Sequence, residues 1–179
     1  MSARLERRAA VARLLRQRGD CLVVTGLGAP TYDVAAAGDD DRNFYLWGAM
    51  GGAALIGLGL ALAQPDRSIV VVTGDGEMLM GLGAFATIGA QQPKNLTIVV
   101  LDNQRYGETG GQFSHTGLGT DLAAMARGAG IADASHIVDM QGVDALAQTL
   151  ARPNGAPRVA IVAIDTSVPP RVIPERDGT

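Results

Sequence analysis

The sequence predicts an α/β protein with a doubly wound, mostly parallel sheet and helices on both faces. Two runs, residues 69–72 and 96–101, are apolar apart from Thr97, which indicates strands that are buried on both sides. About 30 residues separate the start of the first run from the end of the second, which is the length of one strand–helix–strand unit. The 47% hydrophobic and 4% aromatic content favours an aliphatic core, and 179 residues suffice for one domain.

The remaining elements follow the same alternation of strand-like and helical runs. Glycine, proline or charged turns separate most of them. The further strands are expected at residues 21–25, 43–46, 134–138 and 158–164, and the further helices at 32–37, 51–63, 80–91, 121–128 and 143–151.

The two ends of the predicted domain, residues 1–179, are expected to lie outside the sheet. Residues 3–17 form an amphipathic pattern with five arginines on its polar side. A basic helix can bind a membrane or RNA, but we interpret this one as a docking helix with a solvated face. The tail from about residue 168 to 179, which contains Pro169 and Pro170, is predicted to be exposed.

Composition and charge restrict the classes of partner. A net charge of −3 and a pI near 5.3 argue against nucleic acid. The longest apolar run, residues 51–63, is too short to cross a bilayer, and no secretory signal is recognisable. The single cysteine, Cys21, excludes an internal disulfide, fits a cytoplasmic protein and is expected to be a buried thiol.

Gly74-Asp75-Gly76 and Asn103 mark the strongest candidate site. Each follows an apolar strand, and Asp75 and Asn103 occupy equivalent positions after the turns that begin at Gln64 and Gln92, respectively. We therefore expect the two side chains to lie side by side at the carboxyl edge of the sheet, where such sheets bind ligands. A carboxylate and a carboxamide suit Mg²⁺, and a helix starting near Met80 would favour a bound anion.

Two other glycine-rich stretches offer weaker indications. Thr25, Gly26 and Gly28 follow the first strand, where they could contact a diphosphate or simply form a tight turn. The helix after Gly48 contains several glycines, although interior glycines weaken helices. Close packing against a cofactor or against another subunit explains them equally well.

The spacing resembles the motif of thiamine-diphosphate-dependent enzymes, Gly-Asp-Gly followed after a long spacer by Asn-Asn. Here the final pair reads Asp102-Asn103, so the first Asn is replaced. The resemblance implies the thiamine-diphosphate-binding fold, with Mg²⁺ held by Asp75, Asn103 and the backbone carbonyl of Arg105. It also implies that Gly48-Ala49-Met50-Gly51 supports the cofactor, with Met50 holding it bent. A core methionine is the alternative, but the position of Met50 before the glycine-rich helix favours the cofactor role.

The loop after Asn103 carries the remaining candidates. Residues 106–112 resemble the Tyr-x-x-Thr-Gly-Gly-Gln segment of phosphonopyruvate and sulfopyruvate decarboxylases. Glu108 and His115 could face the substrate, and His115 could relay a proton, or it could lie in solvent. The expected catalytic residues are Met50, Glu108 and His115. The expected cofactor contacts are Thr25, Gly26, Gly28, Gly48, Met50, Gly74, Asp75, Gly76, Glu77, Asn103, Tyr106, Gly107 and Glu108.

Enzymes of this family combine a diphosphate-binding domain and a pyrimidine-binding domain. The resemblance covers only the diphosphate-binding domain, and 179 residues leave no room for the second. The resemblance therefore implies a β-type subunit of a 2-oxo acid decarboxylase. A separate α-type, pyrimidine-binding subunit would supply the activating glutamate. A carboligase or oxidoreductase subunit and a non-catalytic thiamine-diphosphate-binding module are the alternatives. Which 2-oxo acid is the substrate stays open.

Overall fold

The computed structural model describes residues 4–174 and contains a six-stranded, fully parallel sheet in the order β2-β1-β3-β4-β6-β5. The fold class predicted from the sequence is confirmed. The strands are β1 (Leu22–Thr25), β2 (Asn43–Tyr45), β3 (Ile69–Gly74), β4 (Leu96–Asp102), β5 (Asp133–Ile137) and β6 (Arg158–Ala163). The helices are α1 (Arg7–Leu15), α2 (Ala29–Ala36), α3 (Ala53–Ala63), α4 (Asp75–Met80), α5 (Ala84–Gln91), α6 (Leu122–Gly128) and α7 (Met140–Ala147).

Alternate residues of the central strands feed two separate hydrophobic cores. Ile69 and Val71 of β3 pack in the core shared with α3, α5 and α6, while Val70 and Val72 pack in the core shared with α1, α2 and α7. Because side chains alternate across a strand, one apolar run fills both layers. This explains why β3 and β4 contain no polar residue at a solvent-facing position.

The chain reverses its direction of travel across the sheet between β1 and β3. From β1 it moves outward to β2, and it then returns to place β3 on the other side of β1. Such a switch leaves a crevice outside the carboxyl ends of the two strands. The turn after β1 and the Gly74–Asp75 junction after β3 both lie at this crevice.

The helix expected from about Met80 to Gln91 begins later, at Ala84, and a separate short helix, α4, begins at Asp75 directly after β3. Helix α4 ends at Met80, and α5 begins only at Ala84. Between the two helices the Cα of Gly81 lies against Gly51, where a Cβ would meet the Gly51 carbonyl oxygen at 2.1 Å, so this position requires glycine. The predicted start near Met80 was therefore wrong by about four residues, and α4 was not predicted.

The pairing of β3 with β4 also differs from the expected register. Gly74 lies opposite Leu101, which shifts the pairing by one position from the expected one. Asp102, not Asn103, is therefore the neighbour of Asp75 when the pairing is continued past Gly74. Asn103 lies one position further along, at the start of the loop after β4.

The amino-terminal segment packs beside the end of the sheet. Helix α1 is shorter than residues 3–17, and part of that range lies outside the described residues. Leu5 forms a parallel bridge with Ile164, and Arg4 Nη1 donates to the Asp102 carbonyl at 2.8 Å. Arg7 and Arg8 form ion pairs with the fully buried Asp33 of α2. These contacts dock α1 next to the crevice.

Three smaller expectations can be compared with the structure. Cys21 is buried, and burial raises the pKa of its thiol to about 11, which agrees with an unreactive cysteine. Among residues 4–174, no helix has the length and apolarity needed to cross a membrane. Of the predicted tail, residues 175–179 lie outside the described part; Val168 is exposed, whereas Pro174 is buried.

Candidate cofactor and metal site

A cavity of about 700 Å³ opens at the carboxyl edge of the sheet, at the crevice between β1 and β3. This volume lies in the range of small-molecule and cofactor sites. It is bounded by the start of α2, the β3–α4 junction, the loop after β4 and residues 164–171. Ten predicted site residues line it: Met50, Gly74, Asp75, Gly76, Glu77, Asn103, Arg105, Tyr106, Gly107 and Glu108.

Asp75 is held in place by two hydroxyl groups from the loop after β4. Ser114 Oγ and Thr116 Oγ1 both donate to Asp75 Oδ2, the latter at 3.1 Å. Thr116 Oγ1 also lies 2.7 Å from Asp102 Oδ1, and the two hydroxyl oxygens are 2.8 Å apart. These hydrogen bonds fix the orientation of the Asp75 carboxylate at the cavity floor. Only 2% of the residue is exposed.

The electrostatic setting of Asp75 favours binding of a cation. Burial raises the pKa of Asp75; the Ser114 hydrogen bond opposes this shift, and the neighbouring Asp102 adds to it. Two carboxylates share one hydroxyl donor in this cluster, so their negative charge is only partly balanced by the protein. A bound divalent cation would stabilise the charged form of Asp75.

Asn103 and Arg105 follow Asp102 at the same edge. The Asn103 carboxamide oxygen accepts a hydrogen bond from the Arg105 backbone N–H at 2.8 Å, which shapes the turn. The Arg105 side chain is occupied by other contacts: its Nη1 donates to the Gly111 carbonyl, and its guanidinium stacks 3.8 Å from the Phe113 ring centre. Any metal contact of Arg105 would thus come from its backbone.

Glycines leave open the part of the cavity wall next to Asp75. A Cβ at Gly74 or at Gly107 would have no heavy atom within 4 Å, so these backbones are accessible to a ligand. The Gly76 backbone is covered by Tyr106, since a Cβ added at Gly76 would lie 2.6 Å from the Tyr106 ring. Tyr106 therefore packs on the first turn of α4.

Glu77 lines the cavity and contacts both β3 and the turn after β1. Its Oε2 accepts a hydrogen bond from Thr73 at 2.9 Å, and it occupies the space that a Cβ at Gly26 would need. Burial raises the pKa of Glu77, and the Thr73 hydrogen bond opposes this shift. Gly26 is thus required by a carboxylate of the protein itself.

Thr25, Gly26, Gly28 and Gly48 do not line the cavity, in contrast to their neighbours Leu27, Ala29 and Met50. The Thr25 hydroxyl lies 2.6 Å from that of Thr31, inside the turn. Gly28 has a φ of +79° and lies against the Glu108 carboxylate. The tight-turn interpretation therefore describes Thr25 to Gly28 better than direct contact with a ligand.

Met50 lines the cavity from a short strained segment before α3. The preceding Ala49 has a φ of +51°, an uncommon conformation for a residue with a side chain. Gly51, with a φ of +90°, contacts the Gly81 backbone, so the segment is anchored to the end of α4. Nearby, the Trp47 ring centre lies 6.4 Å from that of Tyr32, which lines the cavity.

Of the two predicted catalytic residues in the loop after β4, Glu108 lines the cavity and His115 does not. His115 is exposed and does not line the cavity, and its Nδ1 lies 3.2 Å from the Tyr106 hydroxyl. Ser114 and Thr116, on either side, point to Asp75 instead. Glu108 lies at the cavity mouth, where its Oε2 is 3.5 Å from Arg171 Nη2. The prediction that His115 could face the substrate is not supported by this position.

Several lining residues were not identified from the sequence. Arg7 of α1 and residues 164–171 form part of the wall, although they lie far from the motif along the chain. No spacing pattern connects them with Asp75. Ser114 and Thr116 were also not identified, because Thr116 lies in a short 3-10 helix, His115–Leu118, and no strand alternation marks the two hydroxyls as neighbours.

The residues present fit a magnesium ion and a diphosphate. The carboxylate of Asp75 and the carboxamide of Asn103 are hard oxygen donors, and the open glycine backbones at Gly74 and Gly107 leave room for phosphate. Within residues 4–174, no group of three or more His, Cys, Asp or Glu side chains could hold a metal alone. Ligand oxygens would therefore have to complete the coordination.

Comparisons with known proteins agree with this site. Residues 31–164 match the model of the thiamine pyrophosphate enzyme family, C-terminal TPP-binding domain. Over 110 residues the chain is 46% identical to sulfopyruvate decarboxylase subunit beta of Methanocaldococcus jannaschii, covering 62% of this chain and 58% of that protein. It is 43% identical over 152 residues to phosphonopyruvate decarboxylase of Streptomyces viridochromogenes, covering 84% and 38%.

A solved structure supports the fold independently. Benzoylformate decarboxylase from Polynucleobacter necessarius superposes with a TM-score of 0.76 at 19% identity, covering 93% of this chain and 34% of that one. The chain therefore belongs to the thiamine pyrophosphate enzyme family and comprises its C-terminal TPP-binding domain. It spans little more than half of the M. jannaschii relative and about a third of the benzoylformate decarboxylase.

Proposed function

We propose that this chain is the diphosphate- and Mg²⁺-binding subunit of a thiamine-diphosphate-dependent 2-oxo acid decarboxylase of the sulfopyruvate or phosphonopyruvate type. The observation that carries the proposal is the buried Asp75 carboxylate, held by Ser114 and Thr116 at the floor of a cavity that Asn103 also lines. The similarity to sulfopyruvate decarboxylase subunit beta and to phosphonopyruvate decarboxylase supports the substrate class.

In this proposal the residues bind and orient rather than transfer protons. Asp75 and Asn103, with the Arg105 carbonyl, hold Mg²⁺, and the open backbones at Gly74 and Gly107 receive the diphosphate. Met50 supports the organic part of the cofactor from the strained segment before α3. When bound, thiamine diphosphate supplies the electron sink for the carbanion left by loss of CO₂.

A separate pyrimidine-binding subunit completes the proposed enzyme. The beta-subunit name of the M. jannaschii relative supports a heteromeric arrangement. Large apolar side chains of β2, the segment after it, α3 and the end of α4 also remain exposed in this chain and are available to contact another protein. These residues are Phe44, Trp47, Leu55, Leu62 and Met80.

Asp75→Asn tests the metal site with little change in shape. We expect at least a tenfold loss in thiamine-diphosphate affinity, measured by calorimetric titration in Mg²⁺, because the carboxamide lacks the charge that holds the ion. Asp66→Asn is the matched control, since Asp66 is an exposed residue near the opposite end of β3. Equal affinities of Asp75→Asn and the native chain would sink the proposed metal site.

The activity is tested with the partner. The chain is recovered from its native extract, and co-purifying proteins are sequenced. The recovered complex is then assayed for CO₂ release from sulfopyruvate, phosphonopyruvate and pyruvate. We expect release from the first or second substrate that requires the second subunit. Cofactor binding without any second subunit or CO₂ release would instead favour a non-catalytic binding module.

A further inference from the structure

Residues 164–171, the carboxy-terminal strap, form one wall of the cavity. Six of them line it: Ile164, Thr166, Ser167, Val168, Pro169 and Arg171. The strap is fixed at both ends, since the Asp165 N–H donates to the Leu5 carbonyl at 2.8 Å and Arg8 Nη2 donates to the Pro170 carbonyl at 2.7 Å. It therefore holds Arg171 at the mouth in a defined place.

Arg171 differs from the other two arginines that line the cavity. Arg105 is committed to the Gly111 carbonyl and the Phe113 ring, and Arg7 is buried against Asp33. The Arg171 side chain is 64% exposed, and its guanidinium lies 3.5 Å from Glu108 and 5.4 Å from the Tyr32 ring centre. Exposed ion pairs of this kind contribute little and exchange partners readily.

Glu108 lies beside this arginine at the opening of the cavity. Its carboxylate lies against Gly28, where an added Cβ would be 2.6 Å from Glu108 Oε1, so the glutamate is positioned by the turn after β1. The Glu108–Arg171 pair thus joins the turn, the loop after β4 and the strap across the mouth. An anion that enters the cavity can replace Glu108 as the partner of Arg171.

We infer that Arg171 is a specificity-determining residue that binds the second anionic group, a sulfonate or phosphonate, of the 2-oxo acid substrate. A guanidinium matches these groups because its planar N–H donors can form two parallel hydrogen bonds with their oxygens. The inference deepens the proposed function and rests on it for the identity of the substrate class. It assigns the recognition of the anionic tail to this chain.

Calorimetric titration of the chain loaded with thiamine diphosphate and Mg²⁺ tests the inference. The probes are 3-sulfopropanoate, which lacks the reactive carbonyl, and butanoate, which carries a methyl group in place of the sulfonate. We expect Arg171→Met to weaken 3-sulfopropanoate binding about tenfold or more and to leave butanoate binding unchanged. Glu108→Gln should strengthen 3-sulfopropanoate binding a few-fold, because it removes the competing carboxylate.

Arg152→Met is the matched control, since Arg152 is exposed before β6, at the opposite edge of the sheet. Equal 3-sulfopropanoate affinities of Arg171→Met and Arg152→Met, or equal losses for both probes, would overturn the inference. Cofactor affinity, measured first in each variant, separates this result from failure of the proposed function. The proposed function is wrong if Asp75→Asn binds the cofactor as tightly as the native chain. The inference is wrong if Arg171→Met binds the cofactor normally and 3-sulfopropanoate as tightly as Arg152→Met.

Discussion

At the residue scale, the orientation of Asp75 depends on Thr116 as much as on its own position after β3. Thr116 has one hydroxyl proton, yet its oxygen lies within hydrogen-bond distance of both Asp75 and Asp102. The hydroxyl therefore links the predicted metal ligand to the residue that replaces the first Asn of the family motif. Ser114 adds a second donor to the same Asp75 oxygen.

Thr116→Val removes this link and keeps the shape of the side chain. We expect about three- to tenfold weaker Mg²⁺-dependent cofactor binding, because Asp75 loses one of the donors that fix it. The free energy of unfolding should fall by about 1–3 kcal/mol, since buried carboxylate oxygens lose a partner.

Thr116→Ser keeps the hydroxyl and provides the control for that variant. Calorimetric titration and urea unfolding of both variants separate the two effects. If the serine variant binds cofactor as weakly as the valine variant, the hydroxyl is not what positions Asp75.

Most residues of the cavity floor were accessible from the sequence, because Asp75, Asn103 and their glycines follow strands whose apolar runs are unmistakable. Ser114 and Thr116 were missed because the loop between them and Asn103 has no periodicity that fixes its path. His115 attracted attention through its chemistry, whereas in the 3-10 helix that it begins its side chain is exposed and those of Ser114 and Thr116 are buried.

At the element scale, α3 shows that glycines in one helix can have opposite roles. A Cβ at Gly57 would lie 2.2 Å from Val71 Cγ2, so this glycine allows α3 to approach β3 closely. A Cβ at Gly59 would have no heavy atom within 4 Å. The sequence shows the glycines but not which of them is sterically required, because that depends on the neighbouring strand.

Gly57→Ala and Gly59→Ala should therefore change stability in opposite directions. We expect the first to destabilise the fold by about 1–3 kcal/mol through overpacking against Val71. The second should stabilise it by about 0.5–1 kcal/mol, because alanine favours a helix where space is available. Urea unfolding of the isolated chain measures both, and destabilisation by Gly59→Ala would show that its face is not free.

At the scale of the whole molecule, fold class and strand identity were predictable, but the spatial order of the strands was not. Parallel strands with helices between them follow from apolar runs and their spacing. The path of the chain across the sheet, the register between β3 and β4, and the return of the strap to the cavity depend on contacts between distant residues. Pro169 and Pro170 indicated an exposed tail, although Pro169 lines the cavity.

The stability of the whole molecule should depend on pH through Asp75. Because burial raises its pKa in the folded state, the folded chain binds more protons than the unfolded chain between the ordinary and the raised pKa. The contribution of Asp75 to stability is therefore greatest below this window and is lost as the pH rises through it.

Asp75→Asn removes that contribution. In the absence of metal ions, we expect the variant to have a higher melting temperature than the native chain at neutral pH, with a difference that shrinks as the solution is acidified. Thermal unfolding in chelator at several pH values measures this difference. A gap that widens toward acidic pH would contradict the assigned direction of the pKa shift.

The contact between Trp47 and Tyr32 gives the molecule a built-in optical reporter. Trp47 is the single tryptophan of the sequence, so all indole emission comes from one place, beside a tyrosine that lines the cavity. The Arg171 guanidinium lies over the same tyrosine ring, at 5.4 Å from its centre. Displacement of the Arg171 guanidinium from this ring by a bound anion should therefore change the intensity or wavelength of that emission, without any label attached to the chain.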